Sequence, residues 1–369
     1  MIPKEPTTDL ALQNLAPMGA IGALFGPGQE EISRAIAFSL GTNIFNGPAP
    51  HPSNLVRRGL ARLVWRLMQN TTRPETRPGP DGNPVVVFRN RILERSGHPY
   101  AATLLEPSRA DTQNFVEGGD PMNALYMMLA PEIRRNAGTW DHIILDSVQG
   151  RDVQWRFYWE TRCTRDLAAA KLSRGEPVRI KAVAAGAGLS MMLVLDQLLR
   201  EGYDPGLIAA TISDREESNV VKSERLFGKL PSTRALLESG RIKIIAEDLL
   251  APKDNEPHDL ITVMGILEYF PGHTFTTTER HLGHPEPQGP PHAEDLVRNI
   301  AAMTAPGGAL VTNTYKLLSA VRIMEVFGKK FRYRGRPEMH RLLATSGFVP
   351  AGRHYSGNVF DVEVFRKEG

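Results

Sequence analysis

From Pro177 to the end of the chain, segments of strand character alternate with segments of helical period. No other feature limits the fold as much. Val178–Ala185 reads as a strand, Leu189–Arg200 as a helix, Leu207–Ser213 as a strand and Glu217–Phe227 as a helix. Arg241–Ala246 and Asp259–Met264 read as further strands. After a long insertion come a helix at Ala293–Met303 and a strand at Ala309–Thr314. Pro337–Thr345 has helical character, with proline in its first turn and Gly347 just beyond its end. Two short strands, Phe348–His354 and Val359–Phe365, close the chain around a Ser356-Gly357-Asn358 turn. Such alternation predicts an α/β fold, a doubly wound and mostly parallel sheet with helices on both faces.

The first 175 residues have a different texture. Proline and glycine cluster at Gly47–Pro52 and Arg73–Pro84, which read as loops. Between them Asn54–Asn70 has helical period, with Leu55, Val56, Leu60, Leu63, Val64 and Leu67 on one stripe. Ser33–Pro74 contains six arginines and no acid. A solvated amphipathic face explains this better than a nucleic-acid surface. Asp152–Ser173 reads as one helix that opens with Trp155, Phe157, Tyr158 and Trp159. Those rings are expected to pack against the following domain, and one wall of a substrate pocket is the alternative. The expected division is therefore a mainly helical region over residues 1–175 and an α/β domain over residues 176–369.

Composition excludes several classes. Net charge is +3, too small for an electrostatic nucleic-acid binder. Cys163 is the single cysteine, which removes an internal disulfide framework and any cysteine-based zinc site. It fits a reducing compartment. No apolar run approaches the roughly 20 residues a membrane helix needs, and Leu15–Phe25 is a poor signal peptide. The expectation is a cytoplasmic chain without a membrane partner.

Five features fall at corresponding ends of the expected strands. The first strand runs through Ala184-Ala185-Gly186-Ala187-Gly188 into a helix, where backbone N–H groups approach a ligand closely. Asp214 closes the second strand, where a carboxylate can accept both ribose hydroxyls of an adenosine. Glu247-Asp248-Leu249 follows the third strand, and the fourth runs from Asp259 through Met264 and Gly265 to Glu268-Tyr269. Pro306-Gly307-Gly308 leads into the fifth.

In this order the five resemble the class I S-adenosylmethionine-dependent methyltransferases, over about Val178 to Lys367. The resemblance implies a Rossmann-like sheet with an antiparallel C-terminal hairpin. Its cofactor would be S-adenosylmethionine, released as S-adenosylhomocysteine. It places Ala184, Ala185, Gly186 and Gly188 along the cofactor's methionine part. Asp214 and its neighbour Arg215 fall at the ribose, Asp248 and Leu249 beside adenine, and Met264 and Gly265 at the reactive end. Two positions depart from the family pattern: Ala182 stands where an acid is usual, and Ala184 where a glycine is usual. The missing acid leaves the cofactor's amino group without an identified partner.

A nicotinamide dehydrogenase would need a small residue at Met191. Neither a Walker phosphate loop nor a G-x-S-x-G elbow occurs. Methyl transfer depends on alignment, with a general base only where the acceptor must lose a proton. Candidates cluster from Glu268 to His292. Glu268 follows the fourth strand directly, and four of the ten histidines, His273, His281, His284 and His292, fall in the insertion. His281 and His284 are the leading pair. The insertion reads as a lid ahead of a plain solvated loop or a metal site. The expected acceptor is a small molecule. RNA or protein as acceptor, and a non-catalytic scaffold on the same fold, are the alternatives. The N-terminal half is expected to build the acceptor pocket, cover the sheet edge or mediate homodimerisation.

Overall fold

The computed structural model describes residues 30–50, 63, 70–78, 84–90, 104–107, 125–137, 142, 148–254, 256–273, 289, 291–316, 332 and 334–369. Apart from Leu63 and Asn70, the Asn54–Asn70 segment lies outside those residues, as do the Leu15–Phe25 stretch and most of the histidine-bearing insertion, with His281 and His284.

The sheet expected from the alternation is present, with seven strands in the order β6-β5-β4-β7-β8-β10-β9. They are β4 (Val178–Val183), β5 (Ile208–Asp214), β6 (Ile242–Ala246), β7 (His258–Val263), β8 (Thr304–Tyr315), β9 (Phe348–Ser356) and β10 (Phe360–Lys367). β4 pairs in parallel with β5 and β7, β5 with β6, and β7 with β8. β10 runs antiparallel to both β8 and β9. The chain therefore starts at β4, winds outward to β6, and returns to β7 on the other side. Between the carboxyl ends of β4 and β7 the winding reverses, and open α/β sheets bind ligands in that crevice.

Apolar residues on both faces explain why the central strands read as continuous runs. One face carries α3 (Val148–Leu172), α4 (Leu189–Arg200), α5 (Glu217–Phe227) and α6 (Pro231–Glu238). Ile180, Ile212, Leu260 and Val364 pack there against Leu193, Leu198 and Phe227. α1 (Glu30–Asn46) joins this layer through Ile36, Leu40 and Ile44. The opposite face carries α7 (Ala293–Met303) and α8 (Arg336–Ala344), where Val183, Ile261, Val263 and Leu310 meet Leu296, Ile300 and Leu343. The division at residues 175/176 falls in the turn between α3 and β4, and α3 itself packs on β4, β7, β8 and β10.

Helices α4, α5 and α7 have the bounds that the periodicity predicts. One expectation needs correction. Arg73–Pro84 is not a plain loop. It comprises strand β1 (Thr72–Pro78), a connection and the start of β2 (Pro84–Asn90), with β3 (Leu104–Pro107) completing an antiparallel sheet. β1 is an edge strand, where proline costs no ladder bond on the open side. Among the described residues the N-terminal region carries this sheet beside its helices α1, α2 (Pro131–Asn136) and α3. Among the described residues, no helix is long and apolar enough to cross a membrane.

Candidate functional site

The loop from β4 to α4 is held in a shape that excludes most side chains. Ala184 (φ 51°), Gly186 (φ 57°) and Gly188 (φ 71°) all occupy the left-handed region. At Gly188 packing adds to this, since a Cβ would meet Ile212 Cγ2 and Phe227 Cε2 at 3.1 Å each. At Gly186 a Cβ would meet nothing within 4 Å, so that backbone faces open space. Ala184 is the only non-glycine residue with positive φ among the described residues. The family's usual glycine there is thus explained, and alanine keeps the conformation at a cost of about 1 kcal/mol.

Asp214 joins this loop to the end of β5. Its carboxylate accepts the Gly186 N–H at 2.8 Å, the Glu216 N–H at 3.0 Å and the Asn219 Nδ2 at 3.1 Å. Burial pushes its pKa up against the pull of those donors. Arg215, next in sequence, pairs with Glu216 at 3.4 Å and is far more open.

At the third strand, the acids Glu247 and Asp248 separate in role. Glu247 is buried, accepts the Lys253 and Asp254 N–H groups at 2.8 Å each, and pairs with the buried Lys181 ammonium at 2.8 Å. Asp248 shapes its own turn through the Leu250 N–H at 2.9 Å. Leu249 is buried in the layer beneath α7, with its carbonyl held by Asn299 at 2.8 Å.

Met264 and Gly265 lie at the carboxyl end of β7, beside the loop of β4. Gly265 has φ 73°, and its N–H donates to Asn313 Oδ1 at 2.8 Å. A Cβ there would stand 3.2 Å from Arg156 Nη1, so the guanidinium of α3 covers this residue. Arg156 is 6% exposed and lies over the Phe360 ring at 4.9 Å. Burial opposes its charge, but Tyr126, Glu268, Tyr315 and Glu160 around it hold it protonated. Its Nε has no hydrogen-bond partner among the described residues. Glu268 is buried in the short turn Leu267–Tyr269, and burial raises its pKa against Arg156, Asn313 and Arg334. Arg334 fixes that turn by donating to the carbonyls of Leu267, at 2.7 Å, and Phe270. Burial drives the Tyr315 phenol well above its ordinary pKa.

The structure thus brings Ala184, Ala185, Gly186, Gly188 and Asp214 to one side of the crevice, and Met264, Gly265 and Glu268 to the other. Glu247 is committed to Lys181, and Asp259 to Lys171 Nζ at 2.6 Å and the Arg179 N–H at 2.8 Å. Of the insertion's histidines, His273 and His292 stand with their rings 4.1 Å apart, beside the start of α7. Sequence reasoning missed Arg156 and Glu160. They sit one helical turn apart in the aromatic stretch of α3, where charge among buried rings was the available signal. The rings do pack: Phe157 stacks on Tyr126 at 3.9 Å, and Trp159 on Tyr355 at 3.7 Å.

No protein-family model matches the chain, and no curated protein matches it in sequence. Among solved structures, similarity extends to the CMeT domain of the citrinin polyketide synthase. It is 13% identical, covers 96% of this chain and 99% of that one, and gives a TM-score of 0.47. Magnesium protoporphyrin IX methyltransferase from Synechocystis PCC 6803, solved with bound SAH, is 13% identical over 58% of this chain and 87% of that one, with a TM-score of 0.39. The N-methyltransferase NodS from Bradyrhizobium japonicum WM9, also with SAH, is 18% identical over 58% and 88%, with a TM-score of 0.36. The sheet itself is Rossmann-like, a parallel half reversing at β4/β7 and closed by an antiparallel hairpin.

Proposed function

We propose that the chain is an S-adenosylmethionine-dependent methyltransferase acting on a small-molecule acceptor. One observation carries the reading. The β4–α4 loop keeps three left-handed residues, tied to the Asp214 carboxylate, at the point where the sheet reverses. The residues fit such a ligand. Gly186 leaves open space, and Arg156 Nε is a buried polar atom without a partner among the described residues.

In this reading Ala184, Ala185, Gly186 and Gly188 take the methionine part, and Asp214 with Arg215 the ribose. Asp248 and Leu249 flank adenine, and Met264 and Gly265 border the transferring methyl. When bound, the cofactor supplies an activated methyl carbon on a sulfonium. The chain's own contribution is to hold the acceptor in line and to exclude water. A buried carboxyl with a raised pKa, as at Glu268, suits a proton acceptor for a nucleophile that must be deprotonated. His281 and His284 are the alternatives for that role.

The scaffold reading draws on Ala182 and Ala184. Against it, Ala184 is held in the glycine-like conformation despite its cost, as a loop under selection for its shape would be.

Calorimetric titration of the full chain with S-adenosylhomocysteine tests the proposal. One-to-one binding is expected, weakened at least about tenfold by Asp214→Ala, because a carboxylate accepting two hydroxyls is a charge-assisted contact. Absence of binding to the unaltered chain, with NADH as a control ligand, would contradict it.

A further inference from the structure

The family's usual acid before the glycine loop is replaced by Ala182, which is buried in the apolar layer beneath α3 and α4. β4 therefore offers no carboxylate to the cofactor's amino group. The other acids near the crevice are occupied. Asp214 is the residue proposed for the ribose, besides accepting three protein donors. Glu247 is locked to Lys181. Glu268 is held among Arg156, Asn313 and Arg334.

With Asp248 proposed beside adenine, the candidate acid comes from outside the α/β repeat. Glu160 lies on α3, one turn beyond Arg156. It bonds the Ser190 side chain in the first turn of α4, immediately after the glycine loop. The next residue of α3, Thr161, also bonds the Ser190 hydroxyl, at 3.0 Å. The glycine loop and Gly265 are thus bridged by one helix turn. Glu160 stands at the loop and Arg156 at Gly265, with an unpaired Nε. An anion and a cation at i and i+4 match the two charges of an α-amino acid, a carboxylate and an ammonium.

We propose that Arg156 and Glu160 form the subsite for the amino-acid end of the cofactor, the guanidinium taking its carboxylate and Glu160 its ammonium in place of the missing acid at position 182. This rests on the methyltransferase reading above. The groups facing the pair are Tyr126, Glu268 and Tyr315, so Arg156 and the incoming ammonium supply the positive charge there. Burial pushes the Glu160 carboxyl up to about 7, against the pull of Arg156 and Ser190. An ammonium placed beside it favours the ionised form, so binding near pH 7 releases a proton.

The test compares S-adenosylhomocysteine with 5′-methylthioadenosine, which keeps the adenosine and thioether but lacks the amino-acid end. Both are titrated calorimetrically into the full chain and into Glu160→Gln. The variant is expected to weaken S-adenosylhomocysteine by about tenfold or more, the scale of one charge-assisted contact, and to leave 5′-methylthioadenosine unchanged. Titration of the unaltered chain at pH 7, in buffers of different ionisation enthalpy, needs no variant. A fraction of a proton is expected to leave on binding S-adenosylhomocysteine and none on binding 5′-methylthioadenosine. Equal effects of the substitution on both ligands, or equal proton release with both, overturn the subsite while leaving the cofactor reading intact. Failure of the unaltered chain to bind either ligand overturns both.

Discussion

Ala184 shows how a residue type can conceal a backbone shape that the structure keeps. Its position in the loop is legible from the glycines on either side, but its left-handed backbone is not, because alanine rarely adopts φ 51°. The strain is local and removable. Ala184→Gly is expected to raise unfolding stability by about 1 kcal/mol, since relief of the left-handed clash outweighs the added freedom of the unfolded chain. Denaturant melts of the two proteins would show it as a higher midpoint with an unchanged slope. A lower midpoint would mean that the loop is not held in this conformation. Arg156 and Glu160 are the complementary case. Their types were visible, but their nearness to Gly265 and Ser190 depends on how α3 crosses the sheet, and local sequence does not encode that.

At the scale of elements, α3 is what covers the carboxyl end of β7, through Arg156 over Gly265. Its position is set from its first turn. Asp152 is buried and accepts the N–H groups of Val359 and of Phe360, the latter at 3.1 Å, and the Asn358 Nδ2 at 3.2 Å. The β9–β10 turn closes tightly there, because a Cβ on Gly357 would stand 2.7 Å from the Asp152 carboxylate. Burial raises the Asp152 pKa against these donors. Asp152→Ala leaves two or three buried donors without an acceptor and is expected to cost about 3 kcal/mol. Thermal unfolding would register the loss, and cofactor affinity would fall with it, because α3 carries Arg156 and Glu160. An unchanged melt would show that α3 is anchored elsewhere. Helices α4, α5 and α7 were legible because each has one apolar stripe and ends at a glycine or at the next strand. Helix α6 was not, being short and split from α5 by only a few residues. Strand β1 was hidden by its prolines, which an edge strand tolerates.

At the scale of the whole molecule, the alternation after Pro177 was enough to predict a doubly wound, mostly parallel sheet, since right-handed crossovers leave few other arrangements. The residues proposed for the cofactor sit at strand ends that can be counted along the sequence. The groups around Arg156, on α3, the turn after β7 and the end of β8, meet only through tertiary packing. The central claim is that a nucleoside ligand occupies the crevice between β4 and β7. Amide hydrogen exchange of the full chain, with and without S-adenosylhomocysteine, tests this most directly. Slowed exchange is predicted in residues 184–189, 213–216 and 264–269, which surround the crevice on three strands. Unchanged exchange in all three segments at saturating ligand, or protection confined to the outer edge of β6, would contradict it.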